Sequence, residues 1–104
     1  MRSGLCPILL LGAFPALAQP APDPAAGKLL AEQLCSSCHL VGPRQAGPVP
    51  DGVPSFMAIA ARPGIAAAGL KAVLVTPTHP QMQAPPLDVR QRRDVVAYIL
   101  SLAP

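Results

Sequence analysis

Two cysteines and a histidine stand within five residues, in the order Cys35-Ser-Ser-Cys38-His39. Two thiols at this spacing can add across the two vinyl groups on one side of a porphyrin, which gives two thioether bonds. The histidine directly after the second thiol can then place its imidazole on the iron as an axial ligand. The pattern therefore predicts one covalent haem, attached through Cys35 and Cys38 with His39 as the proximal ligand.

Two other chemistries use a Cys-x-x-Cys pair, and this chain fits both of them poorly. A thioredoxin-like pair stands at the start of a helix, where the helix dipole lowers the thiol pKa, whereas Cys35 and Cys38 stand at the end of a predicted helix. A structural zinc site needs four ligands, and beyond the two cysteines and His39 the sequence offers only His79. Three adjacent ligands and one remote histidine make a poor tetrahedron, so haem attachment is favoured.

The first eighteen residues have the pattern of a secretion signal. Arg2 provides a basic start, an apolar run spans 5–14, and Ala16-Leu17-Ala18 is a small-residue cleavage site. The apolar run is shorter than the roughly 20 residues that cross a bilayer, and Pro15 closes it. We expect cleavage after Ala18, export to the periplasm and no stable membrane insertion.

The remaining chain of about 86 residues is short of large side chains for a core. It has no tryptophan, and its aromatic residues are Phe56 and Tyr98. Since Cys6 leaves with the signal, no disulfide framework is available, and a domain this small then needs a bound group to complete its core. The basic residues are scattered and lack interleaved aromatics, so nucleic acid is not an expected partner.

The chain is predicted to be all-helical, because it shows helical periodicity and capping signals but no alternating strand pattern. Asp23-Pro24 begins the first helix, and Asp88 with Gln91 forms a capping box that opens the last. The domain spans 24–104 after a flexible leader at 19–23. Helices are expected at 24–35, 54–61, 65–75 and from 88 onward, and proline-rich loops at 40–54 and 76–86.

These residues resemble a class I c-type cytochrome over essentially the whole mature chain, which implies about four short helices with long loops wrapped around one haem. In that family a glycine eight residues before the first haem cysteine lets the first helix cross the last closely, and Gly27 stands there. The aromatic residue that meets it would be Tyr98. A Gly-Pro carbonyl accepts the proximal imidazole N–H, and the resemblance assigns this role to Pro48, with Pro43 as the poorer candidate.

The resemblance also implies a methionine as the sixth ligand, in the loop ahead of the last helix, and Met82 lies there. His79 in the same loop is an alternative that would give a bis-histidine haem with a lower potential. Met57 is a further possibility, but it lies on a predicted helix only eighteen residues after His39. A core role is favoured for Met57.

As a function, the resemblance implies a periplasmic carrier of one electron on a covalent, His/Met-ligated haem c rather than an enzyme. With both axial positions filled, the iron has no open position for a substrate. The implied partners are redox proteins such as a dehydrogenase, an oxidase or a reductase, with the chain as a monomer or a small subunit. The alternatives are a cytochrome subunit of a larger periplasmic oxidoreductase and a ligand-binding or sensing haem domain with a labile sixth ligand.

Overall fold

The fold is all-helical in the part of the chain that the structure describes, which confirms the predicted class. The structure is a computed structural model and describes residues 3–13, 20–45, 47–75, 79 and 87–104. No strand occurs in these ranges. Their helices are α1 (Pro24–Leu34), α2 (Phe56–Ala60), α3 (Ala67–Val75) and α4 (Val89–Ser101).

Local capping fixes the starts of the two longest helices where the sequence predicts them. The Asp23 carboxylate accepts hydrogen bonds from the backbone N–H groups of Ala25 and Ala26, at 2.9 and 3.3 Å. At the start of α4, the Asp88 side chain accepts from the Gln91 N–H at 2.8 Å, while the Gln91 side chain accepts from the Asp88 N–H at 3.0 Å. Both arrangements satisfy backbone donors that a helix start leaves without partners.

The two short helices begin two residues later than predicted. Ser55 is the N-cap of α2, since its hydroxyl accepts from the Ala58 N–H at 3.0 Å, and Pro54 therefore stays outside the helix. Ile65 likewise precedes α3, after a turn in which Gly64 has a φ of +73°. Such a left-handed backbone conformation favours glycine.

Helices α1 and α4 cross at very close range, as the resemblance implies. A Cβ atom built on Gly27 would lie 1.9 Å from the Asp94 carbonyl oxygen, so only glycine fits there. Ala31, one turn further along α1, is completely buried. The pair is tied again where α1 begins, because the Asp23 N–H donates to the buried Asp94 carboxylate at 2.8 Å.

Residues 3–13 lie outside this helical core. Leu5, Leu10 and Leu11 are more than nine-tenths exposed. Within the described ranges, no helix combines the length and the apolarity that crossing a membrane requires. The cleavage position after Ala18 falls outside the described residues, so the boundaries at 18 and 23 remain predictions.

Candidate functional site

A cavity of about 800 Å³ lies between the end of α1, the segment after it, α2, α3 and α4. This volume is within the range of cofactor pockets, which extends from roughly 300 to 1,000 Å³. Much of its wall is apolar. The hydrophobic residues in that wall include Leu34, Phe56, Ile59, Leu70, Leu74 and Ile99.

The two cysteines border the cavity where α1 ends. Cys35 is the C-cap of the helix, and a tight turn follows in which its carbonyl accepts from the N–H groups of Cys38 and His39, at 3.2 and 2.8 Å. Cys35 is buried and Cys38 is exposed. The turn therefore brings two thiols and an imidazole to one edge of one apolar cavity.

The acidity of Cys35 argues against a redox-active dithiol. Burial, with a smaller contribution from the Cys38 thiol, raises the pKa of Cys35 from 9.0 to about 11. A catalytic thiol of the thioredoxin type needs the opposite, a pKa lowered toward neutrality. The position of Cys35 at the end of a helix, and not at its start, leads to the same conclusion.

His39 is anchored through its Nδ1 atom, which lies 2.6 Å from the Pro54 carbonyl oxygen. A carbonyl only accepts, so Nδ1 carries the proton and Nε2 is the nitrogen with a free lone pair. Phe56 packs beside the imidazole, with ring centroids 5.3 Å apart. The ring is thus oriented by a hydrogen bond and a neighbouring aromatic, as expected for a metal-binding histidine.

The assignment of this carbonyl to Pro48 was wrong, because Pro54 supplies it and Pro48 is exposed. The reason is the path of the loop. The Phe56 N–H donates to the Leu40 carbonyl at 2.9 Å, which brings the residues just before α2 alongside His39.

Gln45 is a site residue that the sequence did not indicate. Its Oε1 atom accepts from the Val41 N–H at 2.6 Å. Its Nε2 atom donates to the carbonyls of Ser36 and His39, at 3.2 and 3.3 Å. One side chain therefore ties the attachment turn to the segment that follows, although glutamine in a loop has no local pattern that signals such a role.

His79 borders the same cavity as His39. The two ring centroids are 6.2 Å apart, and the ring planes differ by only 6°. Of the two methionines considered as ligands, Met82 lies outside the described residues. Met57 is half-buried on α2 and is not among the described residues that line the cavity.

These features fit a covalently attached haem. The cavity offers an apolar wall for a porphyrin, two thiols at its edge for thioether bonds, and an imidazole whose Nε2 is available to iron. Among the described residues, no group of three or more His, Cys, Asp or Glu side chains is placed to hold a metal ion by itself. Cys35, Cys38 and His39 would hold the haem.

Such a site, built where α1 ends, defines a haem protein of the c type. The cytochrome c family model matches residues 24–103. The chain is also 39% identical over 101 residues to cytochrome c-552 of Bradyrhizobium diazoefficiens, an alignment that covers 97% of this chain and 94% of that protein. The chain belongs to the cytochrome c family and is a class I c-type cytochrome that binds covalent haem c with its iron. Proteins of this family transfer electrons to redox partners and are not catalysts.

Proposed function

We propose that this cytochrome is an exported, periplasmic carrier of single electrons whose haem iron is ligated by His39 and Met82. The observation that carries the proposal is the meeting of Cys35, Cys38 and the anchored His39 at one edge of the apolar cavity. Met82 is included on the sequence alone, because it stands in the loop ahead of α4 where the family has its ligand.

The residues of the chain hold and tune the cofactor. The bound haem supplies an iron that cycles between its ferric and ferrous states. The hydrogen bond from His39 to Pro54 keeps the imidazole oriented and raises its basicity. The apolar wall, which includes Phe56 and Ile99, disfavours the extra charge of the ferric state and so raises the reduction potential.

The asymmetry of the two cysteines supports a route for electrons to a partner. Cys35 is buried within the core, whereas Cys38 at the other side of the turn is exposed. A cofactor attached to both sulfurs is therefore near solvent on the Cys38 side. Electron transfer needs only this close approach and no open coordination position on the iron.

The export proposal rests on the sequence pattern of residues 1–18, and the exposure of Leu5, Leu10 and Leu11 agrees with it. Mass spectrometry of the protein secreted by a bacterial host tests it directly. The expected mature chain begins at Gln19. A haem-loaded protein that keeps its first residues would contradict cleavage, and size-exclusion chromatography of native extract would identify a stable association with a larger oxidoreductase.

The central test is expression with and without a cytochrome c maturation system, followed by denaturation. We expect pigment to remain on the denatured chain only after maturation. Replacing Cys35 and Cys38 together by alanine should abolish this retention. A matured wild-type chain that releases all its pigment would overturn the proposal.

The axial ligand is tested separately by absorption spectroscopy. Met82→Ala should abolish the weak long-wavelength charge-transfer band between sulfur and ferric iron, whereas the matched variant Met57→Ala should retain it. Loss of the band in Met57→Ala instead would show that the ligand assignment is wrong.

A further inference from the structure

The chain contains two histidines, and the fold brings both to one cavity although 40 positions separate them. Their rings are almost parallel, with an interplanar angle of 6° and centroids 6.2 Å apart. Two imidazoles that bind one metal ion from opposite sides, through bonds of roughly 2 Å, have their ring centroids roughly 6 Å apart. The observed spacing therefore matches that of two axial ligands on one iron.

The position of His39 is fixed independently of His79. Its Nδ1 donates to Pro54, and Phe56 packs against its ring. His79 follows the end of α3, whose Leu70 and Leu74 line the same cavity. The pairing thus joins a fixed imidazole after α1 to a second imidazole after α3, with the wall of the haem cavity around them.

We propose that His79 is a second axial ligand available to the haem iron, and that it ligates the iron whenever Met82 does not. This inference rests on the proposed function, since it requires a haem attached at Cys35 and Cys38. Imidazole is a good ligand for haem iron. Exchange of a thioether for an imidazole lowers the reduction potential, because thioether ligation raises it.

The small number of histidines in the chain makes the proposal directly testable. Because His39 and His79 are its only histidines, a bis-histidine spectrum can arise within one chain in only one way. The experiment uses the matured, haem-loaded full chain as wild type and as the variants Met82→Ala, His79→Ala and the combined substitution of both residues. The ferric spin state is read by electron paramagnetic resonance and by near-infrared magnetic circular dichroism.

We expect Met82→Ala to remain low-spin, to show the charge-transfer band of a bis-histidine haem, and to have a lower potential than wild type. The combined variant should become high-spin, and added imidazole should restore its low-spin spectrum. His79→Ala alone should keep the sulfur-to-iron band. Rapid carbon monoxide binding by the reduced combined variant, with slow binding by Met82→Ala, would support the same conclusion.

Two outcomes overturn the proposal. One is a Met82→Ala variant that is as fully high-spin as the combined variant, which means that His79 does not reach the iron. The other is a combined variant that stays low-spin, which means that a different group takes the position. Failure of the proposed function is distinguishable from both, because a wild-type chain without covalently retained pigment fails before any ligand is assigned. If the wild-type protein itself shows a bis-histidine spectrum, the assignment of Met82 as axial ligand is wrong and that of His79 stands.

Discussion

The Tyr98 hydroxyl donates a buried hydrogen bond to the Val41 carbonyl, with 2.6 Å between the two oxygens and 57 positions between the residues. Val41 comes two residues after His39, so this bond attaches the segment that leaves the haem site to the last helix. Gly42 leaves room for the contact, since a Cβ atom there would lie 3.3 Å from the Tyr98 hydroxyl. The Phe56 ring contacts both the Tyr98 ring and the His39 ring, and it therefore links the two.

Tyr98→Phe should lower the free energy of unfolding by about 1–3 kcal/mol, because it leaves the buried Val41 carbonyl without its donor. Urea denaturation of the haem-loaded protein measures the change. Ser101→Ala is the matched control, since it removes a hydroxyl on the same helix from an exposed residue. Equal stability of Tyr98→Phe and wild type would show that the bond contributes nothing.

The protein should also lose stability at alkaline pH because of Tyr98. Burial first, and the nearby Glu32 carboxylate second, raise the pKa of Tyr98 above its ordinary value of 10.0. Above pH 10.0 the Tyr98 hydroxyl loses its proton in the unfolded chain but keeps it in the folded protein. The free energy of unfolding therefore falls with rising pH until the pH passes the raised pKa of the folded protein. Denaturation at several pH values should show a decline above pH 10 that is smaller in Tyr98→Phe.

Gly27→Ala should destabilise the protein by about 1–3 kcal/mol or more, because the added methyl group forces α1 and α4 apart. Gly69→Ala is a fitting control. Gly69 lies within α3 with no atom near its hypothetical Cβ, and alanine there favours the helix by roughly 0.5–1 kcal/mol. Thermal denaturation should move the melting temperatures of the two variants in opposite directions.

Gln45→Ala should lower the free energy of unfolding by about 1–2 kcal/mol, since it removes three hydrogen bonds around the attachment turn. Because one of these bonds holds the His39 carbonyl, we also expect the paramagnetic NMR shifts of the His39 ring to change. Arg44→Ala alters the exposed neighbour and should leave both observations unchanged. Wild-type NMR shifts in Gln45→Ala would show that Gln45 does not position the ligand.

Sequence reasoning predicts this structure correctly where the interaction that fixes it is local, or where only one residue type fits. Asp23 with Pro24, and Asp88 with Gln91, cap their helices through groups only two or three residues away, so the pattern itself specifies the structure. Gly27 is predictable for a different reason. The family resemblance implies a glycine eight residues before the first haem cysteine, and the close packing of Gly27 against Asp94 shows why no side chain fits there.

Sequence reasoning fails where a contact depends on the path that a loop takes through space. Several prolines lie in 40–54, and nothing near Pro48 or Pro54 specifies which carbonyl reaches His39. The long-range bond between Phe56 and Leu40 makes that choice. The contacts of Gln45 and the parallel rings of His39 and His79 depend on tertiary structure in the same way, although the importance of His39 itself was readable from its two preceding cysteines.

The pairing of α1 with α4 joins the beginning of the domain to its end. Until α4 packs against α1, the surface around Gly27 has no partner, and Cys35 lacks the core that buries it in the folded protein. The sulfur of Cys35 is therefore more accessible for thioether formation in the unfolded chain than in the folded one.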